Sequence, residues 1–541
     1  MYRPVAKDIG ILEIDNVLPR GAKGIEKDTG EIRRIAGLAS GWREETADPA
    51  TTPGRFRKIM EALETANALS QKYPAITWAV KSELPPYETL DEPLDRACEA
   101  SADLRSGVDL VLAEWAGLPE ERARLLAEAV PEHAHTLARA RDLADAGVFG
   151  DERRRALYGA LPPSGTVKKG GDRPAGTGPE LAASWADDVC SWTGRAARVI
   201  EGHGPERARE IAWDLPPGTI SCLVGAARRE GPAVFGEYLA YRSRTAGGKL
   251  TLGDVERPFT RGEGSPMAIA TTVANITLEE FSPRLAELSK KVISSSSYTS
   301  TLASRRRIPP FTAAPGPGAI PLVMVSWGGF MSDAFSLGRE LARAAHLLCA
   351  SVRGSFGYLP SAPMGETGGC LGGILMFRDM RKKAEGPLAL MSMTCTLLER
   401  VVVDGYLPLI MTAFELEAHR MAAEKADAKA VSDRFMSVHR EMLGDSVAVR
   451  ESDRWAWTER GRLFKAPYFD CAVPFGMFAA MSLVRGWEKG GRKFADRVVK
   501  ALEMGSSVPA ADIMAECGVS LLDENFWAAG IRWVGHLLKS L

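Results

Sequence analysis

A chain of 541 residues exceeds what one hydrophobic core supports, so two or more lobes are expected. Its 68 basic and 69 acidic residues nearly cancel, which removes the electrostatic case for a nucleic-acid or anionic-membrane partner. Eight cysteines without a CxxC pair point to free thiols in a reducing cytoplasm rather than to a disulfide framework.

The opening MYRPVAKDIGILEIDNVLPRG is charged too early and too often for a secretory signal, and a cytoplasmic location is expected. The first sixty residues read as mixed, with a short strand in DIGILEIDNVL and a turn at ATTPG, residues 50–54. From about 55 to 160 apolar residues recur at three-to-four spacing, in RFRKIMEALETANALSQKY and again in ERARLLAEAVPEHAHTLARARDLADAG. His133 and His135 fall in the second run; spaced i, i+2 they point to different helix faces and make poor partners for one metal. The expected organisation is a mostly helical N-terminal region (1–158), a Gly- and Pro-rich linker (159–180) and a helical domain (181–541).

Within that domain, IPLVMVSW in the non-helical stretch 304–330 suits a strand. Helices resume at 332, with breaks near SFGYLPSAPMGETGG and TERGRLFKAPYF. The basic runs RSRTAGGK and SRRR, the latter at 304–307, read as solvated loops. PLALMSMTCTLL at 387–398 falls short of the roughly 18 apolar residues that span a bilayer, so no membrane partner is expected. No internal repeat appears. The coarse reading is a mainly α architecture with a small β element.

One helical stretch carries chemistry. FSLGRELARAAHLL, residues 335–348, sets Arg339 and Arg343 one turn apart on one face, with Glu340 beside them. Alone, an RExxR pattern with a downstream Glu366 is an ordinary solvated helix face. Its surroundings are more specific. SWGGFMSDAFSLGRE, APMGETGGCLGGILMF, GYLPLIMTAFELEAH at 405–419 and the closing segment 467–527 from PYFDCAVPFG to LLDENFW follow one another in order. With FGEYLAYRSRTAGGKLTLGDVERPF at 235–259 upstream, this series resembles the M3 peptidases, most closely the oligoendopeptidase F branch.

That resemblance implies a two-lobed, zincin-related helical fold with a deep central channel. It also implies where the family's site residues fall. Its two histidine ligands land on Arg339 and Arg343, its catalytic glutamate on Glu340 and its glutamate ligand on Glu366. His346 matches an additional histidine that is not a ligand. The family's intermediate-stabilising histidine lands on Arg462, and its tyrosines on Phe469, Cys471 and Val473.

An arginine keeps its proton and offers no lone pair, so it cannot ligate zinc. His419, Cys349 and Cys370 show no spacing that would restore a site. No cofactor is therefore expected, zinc included, and Glu340 has no activated water to work on. The two guanidiniums are expected to replace the lost positive charge by bonding Glu340 and Glu366, with a grip on an anionic ligand as the alternative. Cys471, among apolar neighbours, reads as a packed thiol, and Asp470 as a carboxylate paired to Arg462.

The expected function is a catalytically degenerate pseudopeptidase that binds a peptide, a small anionic ligand, a protein partner or a second copy of itself. Arg339, Arg343, Glu366, Arg462, Asp470 and Cys471 are the candidate contacts. The rival readings are an enzyme of different chemistry in the same cavity and a residual metallo-oligopeptidase.

Overall fold

The apolar periodicity of the N-terminal region builds three long helices, α1 (Gly21–Ala36), α2 (Pro53–Lys81) and α3 (Glu88–Ala116). They close over a core that includes Ile25, Ile32, Phe56, Leu63, Leu94 and Leu104. This computed structural model describes residue 18 and residues 21–81, 88–145, 204–257, 266–295, 297–302, 309–459 and 467–538. The linker expected at 159–180 lies outside the described residues, as does the strand expected at 8–18 except for Leu18. The mixed reading of the first sixty residues missed α1, whose apolar face is Ile25, Ile32 and Ile35.

The stretch around His133 is not one helix. Pro131, with no N–H to donate, stops the helix Glu120–Ala127 and opens a 3-10 turn, after which a helix runs from Ala134 to Asp145. His133 sits edge-on to Phe356, whereas Nε2 of His135 lies 2.8 Å from Asp214 Oδ2.

The second core is larger and is framed by α4 (Thr219–Thr245), α5 (Met267–Phe281), α6 (Pro283–Ile293) and α7 (Met331–Ala350). It continues through α8 (Ala362–Lys382), α9 (Pro387–Val401), α10 (Leu407–Ala423), α11 (Ala428–Leu443), α12 (Ala472–Glu503) and α13 (Glu524–Leu538). α12 is broken at Gly491, where φ is 59°. Among the described residues no helix is long and apolar enough to cross a membrane, and the seven cysteines are free thiols. The run RSRTAGGK is not simply a solvated loop: Arg242 is buried, and its guanidinium binds the carbonyls of Asp254, Val255 and Arg257 at the end of α4.

Among the described residues five short strands accompany the helices. β1 (Leu250–Thr251) pairs in parallel with β5 (Val447–Ala448). β2 (Tyr298–Leu302), β3 (Phe311–Ala313) and β4 (Leu322–Trp327) form a second sheet in the order β2-β4-β3, parallel on one side of β4 and antiparallel on the other. β4 explains why IPLVMVSW is continuously apolar. Its successive side chains point to opposite faces, Leu322 and Met324 into the N-terminal core, Val323 and Val325 into the second. The sheet is thus the layer where the two cores meet.

A chain leaving β4 turns at Gly328–Gly329, where Gly329 takes φ +75°, and enters α7 with Asp333 in the first turn. Asp333 Oδ2 accepts the N–H groups of Gly328 and Phe330 at 2.8 and 3.0 Å, fixing where α7 starts. Every side chain of the RExxR stretch is oriented from that anchor.

Candidate functional site: a guanidinium–carboxylate cluster

Among the described residues, α7 and α8 make the most extensive helix–helix contact. Glycine makes it close. At Gly372 a Cβ would run into the carbonyl of Gly338 and the methyl of Ala342, and at Gly368 into the ring of His346. Gly369 has a different neighbour: a Cβ there would stand 3.2 Å from Arg343 Nε and 3.3 Å from Arg339 Cγ. α8 therefore leaves one side-chain's worth of space where the two guanidiniums lie. α12 seals the other side, its Gly476 resting on the backbone of Glu366.

Inside this junction Arg339 Nη2 and Arg343 Nη2 both donate to the same oxygen, Glu366 Oε2, at 2.6 and 2.7 Å. Their Nε atoms approach the carboxylate of Glu340, Arg339 to 3.8 Å from Oε1 and Arg343 to 3.7 Å from Oε2. Those two are ion-pair contacts, longer than hydrogen bonds. Glu340 Oε2 accepts the hydroxyl of Thr312 on β3 at 2.8 Å, and the same hydroxyl lies 3.1 Å from the carbonyl of Glu340. Two cations thus face two carboxylates. The carboxylates are sealed, the side chains of Glu340 and Glu366 being 1% and 6% exposed, while those of Arg339 and Arg343 keep 14% and 13%.

Burial opposes charge on every member. On Arg339 desolvation is outweighed by the carboxylate of Glu366 and then of Glu340, with Asp404 adding from farther off, and its pKa rises above the ordinary arginine value. Arg343 is raised by the same two glutamates against the same desolvation. Glu366 responds conversely: desolvation pushes its pKa up, but the two arginines pull it below the usual carboxylate range. All three are held charged.

A second ion pair stands nearby on the turn between α9 and α10. Residues Val402–Tyr406 form a π-helical turn, which puts Asp404 where its field reaches Arg339; Asp404 itself lies 3.0 Å from Arg400. Sequence reasoning missed Thr312, Gly369, Arg400 and Asp404. Thr312 and Gly369 carry no sequence signal, and the i, i+4 spacing of Arg400 and Asp404 is the one legible cue.

The other predicted contacts lie elsewhere. Phe469–Cys471 is a 3-10 turn ahead of α12, packed against α10. Cys471 is wholly buried and bonded to Thr412, and burial keeps its thiol protonated, which fits a packed core residue. Asp470 is half-buried beside Glu415; Arg462, its expected partner, lies outside the described residues. Glu415 is buried, accepts the N–H of Tyr468 at 3.1 Å, and is pushed up to about 8 chiefly by desolvation, then by Asp470. His346 and His419 are buried as neutral rings, each pushed down to about 4 by desolvation.

No family model and no curated protein matches this sequence. Solved structures do match. A crystal structure of a candidate peptidase from Chlamydophila abortus superposes with a TM-score of 0.77 at 12% identity, covering 99% of this chain and 100% of that one. Oligoendopeptidase F from Enterococcus faecium gives 0.60 at 11% identity over 96% and 98% of the two chains. PZ peptidase A, solved with an inhibitor, gives 0.64 at 12% over 96% and 97%.

The chain has an oligoendopeptidase F-like fold.

Such low identity carries the fold and no more, so the site must be judged on its own residues. A zinc ion implied by the oligoendopeptidase fold does not fit them. At the two positions flanking Glu340 stand permanently protonated guanidiniums without lone pairs, and the remaining carboxylate, Glu366, already accepts from both. Among the described residues no group of three or more His, Cys, Asp or Glu side chains is placed to hold a metal ion.

Proposed function

We propose that this chain is a degenerate oligoendopeptidase, a pseudopeptidase that binds a peptide without zinc-dependent hydrolysis. One observation carries the reading: Arg339 and Arg343 converge on Glu366 Oε2. An array of two guanidiniums and two carboxylates is neutral in sum, and its carboxylates are already bonded. Such an array offers a metal ion no imidazole, and its Glu366 carboxylate is already bonded to both arginines, so it is not built to hold a Lewis acid that would activate a water. Glu340, the residue aligned with a general base, accepts the Thr312 hydroxyl and lies against the two guanidiniums, so no proton-transfer partner is set up for it.

The same charge balance favours a structural role for the arginines over a grip on an anion. A free anion would have to compete with Glu366 for both guanidiniums, and displacing a buried carboxylate from its partners is costly. A peptide bound along the lobes needs no such exchange. The fold likeness to peptidases supports that ligand class.

Fluorescence-quenched oligopeptides of several lengths, assayed with and without added zinc, test the proposal. No zinc-dependent turnover is expected, whereas the same labelled peptides should bind saturably by anisotropy. Chelator-sensitive hydrolysis that disappears in Glu340→Gln would overturn it.

A further inference from the structure

A cavity lined by basic side chains lies at the far end of α8. Arg381 stands fifteen residues beyond Glu366 along that helix (366 to 381), roughly 22 Å at 1.5 Å per residue. Here α8, α9, α12 and α13 enclose a cavity of about 390 Å³. Its floor is apolar: Leu397 is 1% exposed and Trp533 5%. Its walls are not. Arg378, Arg381 and Lys382 enter from α8, Arg485 and Lys489 from α12, and His536 from α13.

Glu488 is the one carboxylate among the lining residues, and it is occupied, accepting Arg378 Nε at 2.7 Å and the indole N–H of Trp533 at 3.0 Å. Arg381 binds the hydroxyl of Thr394 at 2.9 Å, and Arg485 binds the carbonyl of Ala529 at 3.3 Å. The carbonyl of Ala529 fixes the Arg485 guanidinium in place without cancelling its charge. Desolvation pulls the pKa of Arg381 below the ordinary arginine value, the reverse of Arg339, where carboxylates prevail. Arg378 is shared between Glu488 and, at 3.6 Å, Glu280, so among the lining residues Arg381, Lys382, Arg485 and Lys489 supply the excess of positive charge around this concave space.

Cations at the C-terminal end of α8, and Lys489 two residues ahead of the α12 break at Gly491, also suit a helix dipole, but that reason does not reach Arg485, more than a turn before the break. We infer that this cavity is a binding site for a small multivalent anion of the phosphate or pyrophosphate type, with an apolar group of the ligand resting on Leu397 and Trp533. Lys382 and Lys489, both exposed, supply mobile ammonium groups, and the pinned guanidiniums of Arg381 and Arg485 supply fixed forks. The inference is independent of the reading of the α7–α8 cluster.

Calorimetric titration of the full chain with inorganic pyrophosphate at low ionic strength tests it. One saturable event per chain is expected, weakening as salt is raised. Lys382→Ala with Lys489→Ala, two exposed positions whose loss leaves the core intact, should weaken it about tenfold or more while leaving the melting temperature of the free protein unchanged. Sedimentation with phosphatidic acid vesicles separates the sources of the phosphate: lysine-dependent co-sedimentation assigns a lipid headgroup, and its absence beside pyrophosphate binding assigns a soluble ligand. No saturable binding of either probe, or binding indifferent to the two lysines, would overturn the inference.

Discussion

Glu366 is the residue on which the α7–α8 junction is balanced. One of its oxygens receives both guanidiniums, and its own side chain is only 6% exposed. Taking away one partner strands charge in the interior, so Arg343→Met is expected to cost about 3–5 kcal/mol of stability. Arg343→Met combined with Glu366→Leu removes one charge of each sign and leaves Arg339 facing Glu340. That double variant should lose clearly less than the sum of its two singles in urea unfolding, because the sites are directly coupled.

Glu415 supplies a pH prediction of definite sign. Its folded pKa of about 8 lies above the unfolded carboxylate value, so its contribution is fully present below pH ~4.5 and is lost as pH rises toward 8. Glu415→Gln keeps an acceptor for the Tyr468 N–H and has nothing to ionise. Relative to the parent, the variant should gain stability between pH 5 and pH 8, by up to roughly 4 kcal/mol, read from chemical unfolding at the two values. An unchanged difference across that range would mean that the carboxyl is ionised throughout.

At the scale of elements, the α7–α8 crossing decides whether the arginines can be accommodated at all. Gly372→Ala forces a methyl into Ala342 and the Gly338 carbonyl, which are helix core rather than movable side-chain ends. A loss of about 1–3 kcal/mol is expected in thermal or urea unfolding, with the larger values if the helices are pushed apart. Much of this element was legible: the 3.6-residue period gives α7, and the ordered motifs give α8 after it. The strand in IPLVMVSW was legible as well, since a strand buried on both faces reads as an unbroken apolar run. What sequence could not give was the pairing across elements. Thr312 reaches Glu340 from a strand 28 residues away, and Asp404 is turned toward Arg339 by a π-turn that no local pattern announces. The helix break at Pro131 was readable in principle, and the three-to-four periodicity on either side masked it.

For the whole molecule, the fold and the chemistry part company. Two cores meet at a small sheet whose central strand belongs to both, an arrangement that matches peptidase structures from end to end at about one residue in eight. The fold is peptidase-like, and Arg339 and Arg343 stand on either side of Glu340 as cations. The cluster was readable in sequence because guanidinium chemistry is unconditional: no environment turns an arginine into a zinc ligand. The basic cavity between α8, α12 and α13 was not readable, because its charges come from helices more than a hundred residues apart and each run looks like ordinary helix surface.

Elemental analysis of the full-length protein, purified without chelator and then dialysed against zinc, tests the central claim most directly. The account predicts only background zinc for the parent chain, and a gain of about one equivalent when Arg339→His and Arg343→His place two imidazoles opposite Glu366. One tightly held zinc in the parent chain, lost on Glu366→Gln, would contradict it.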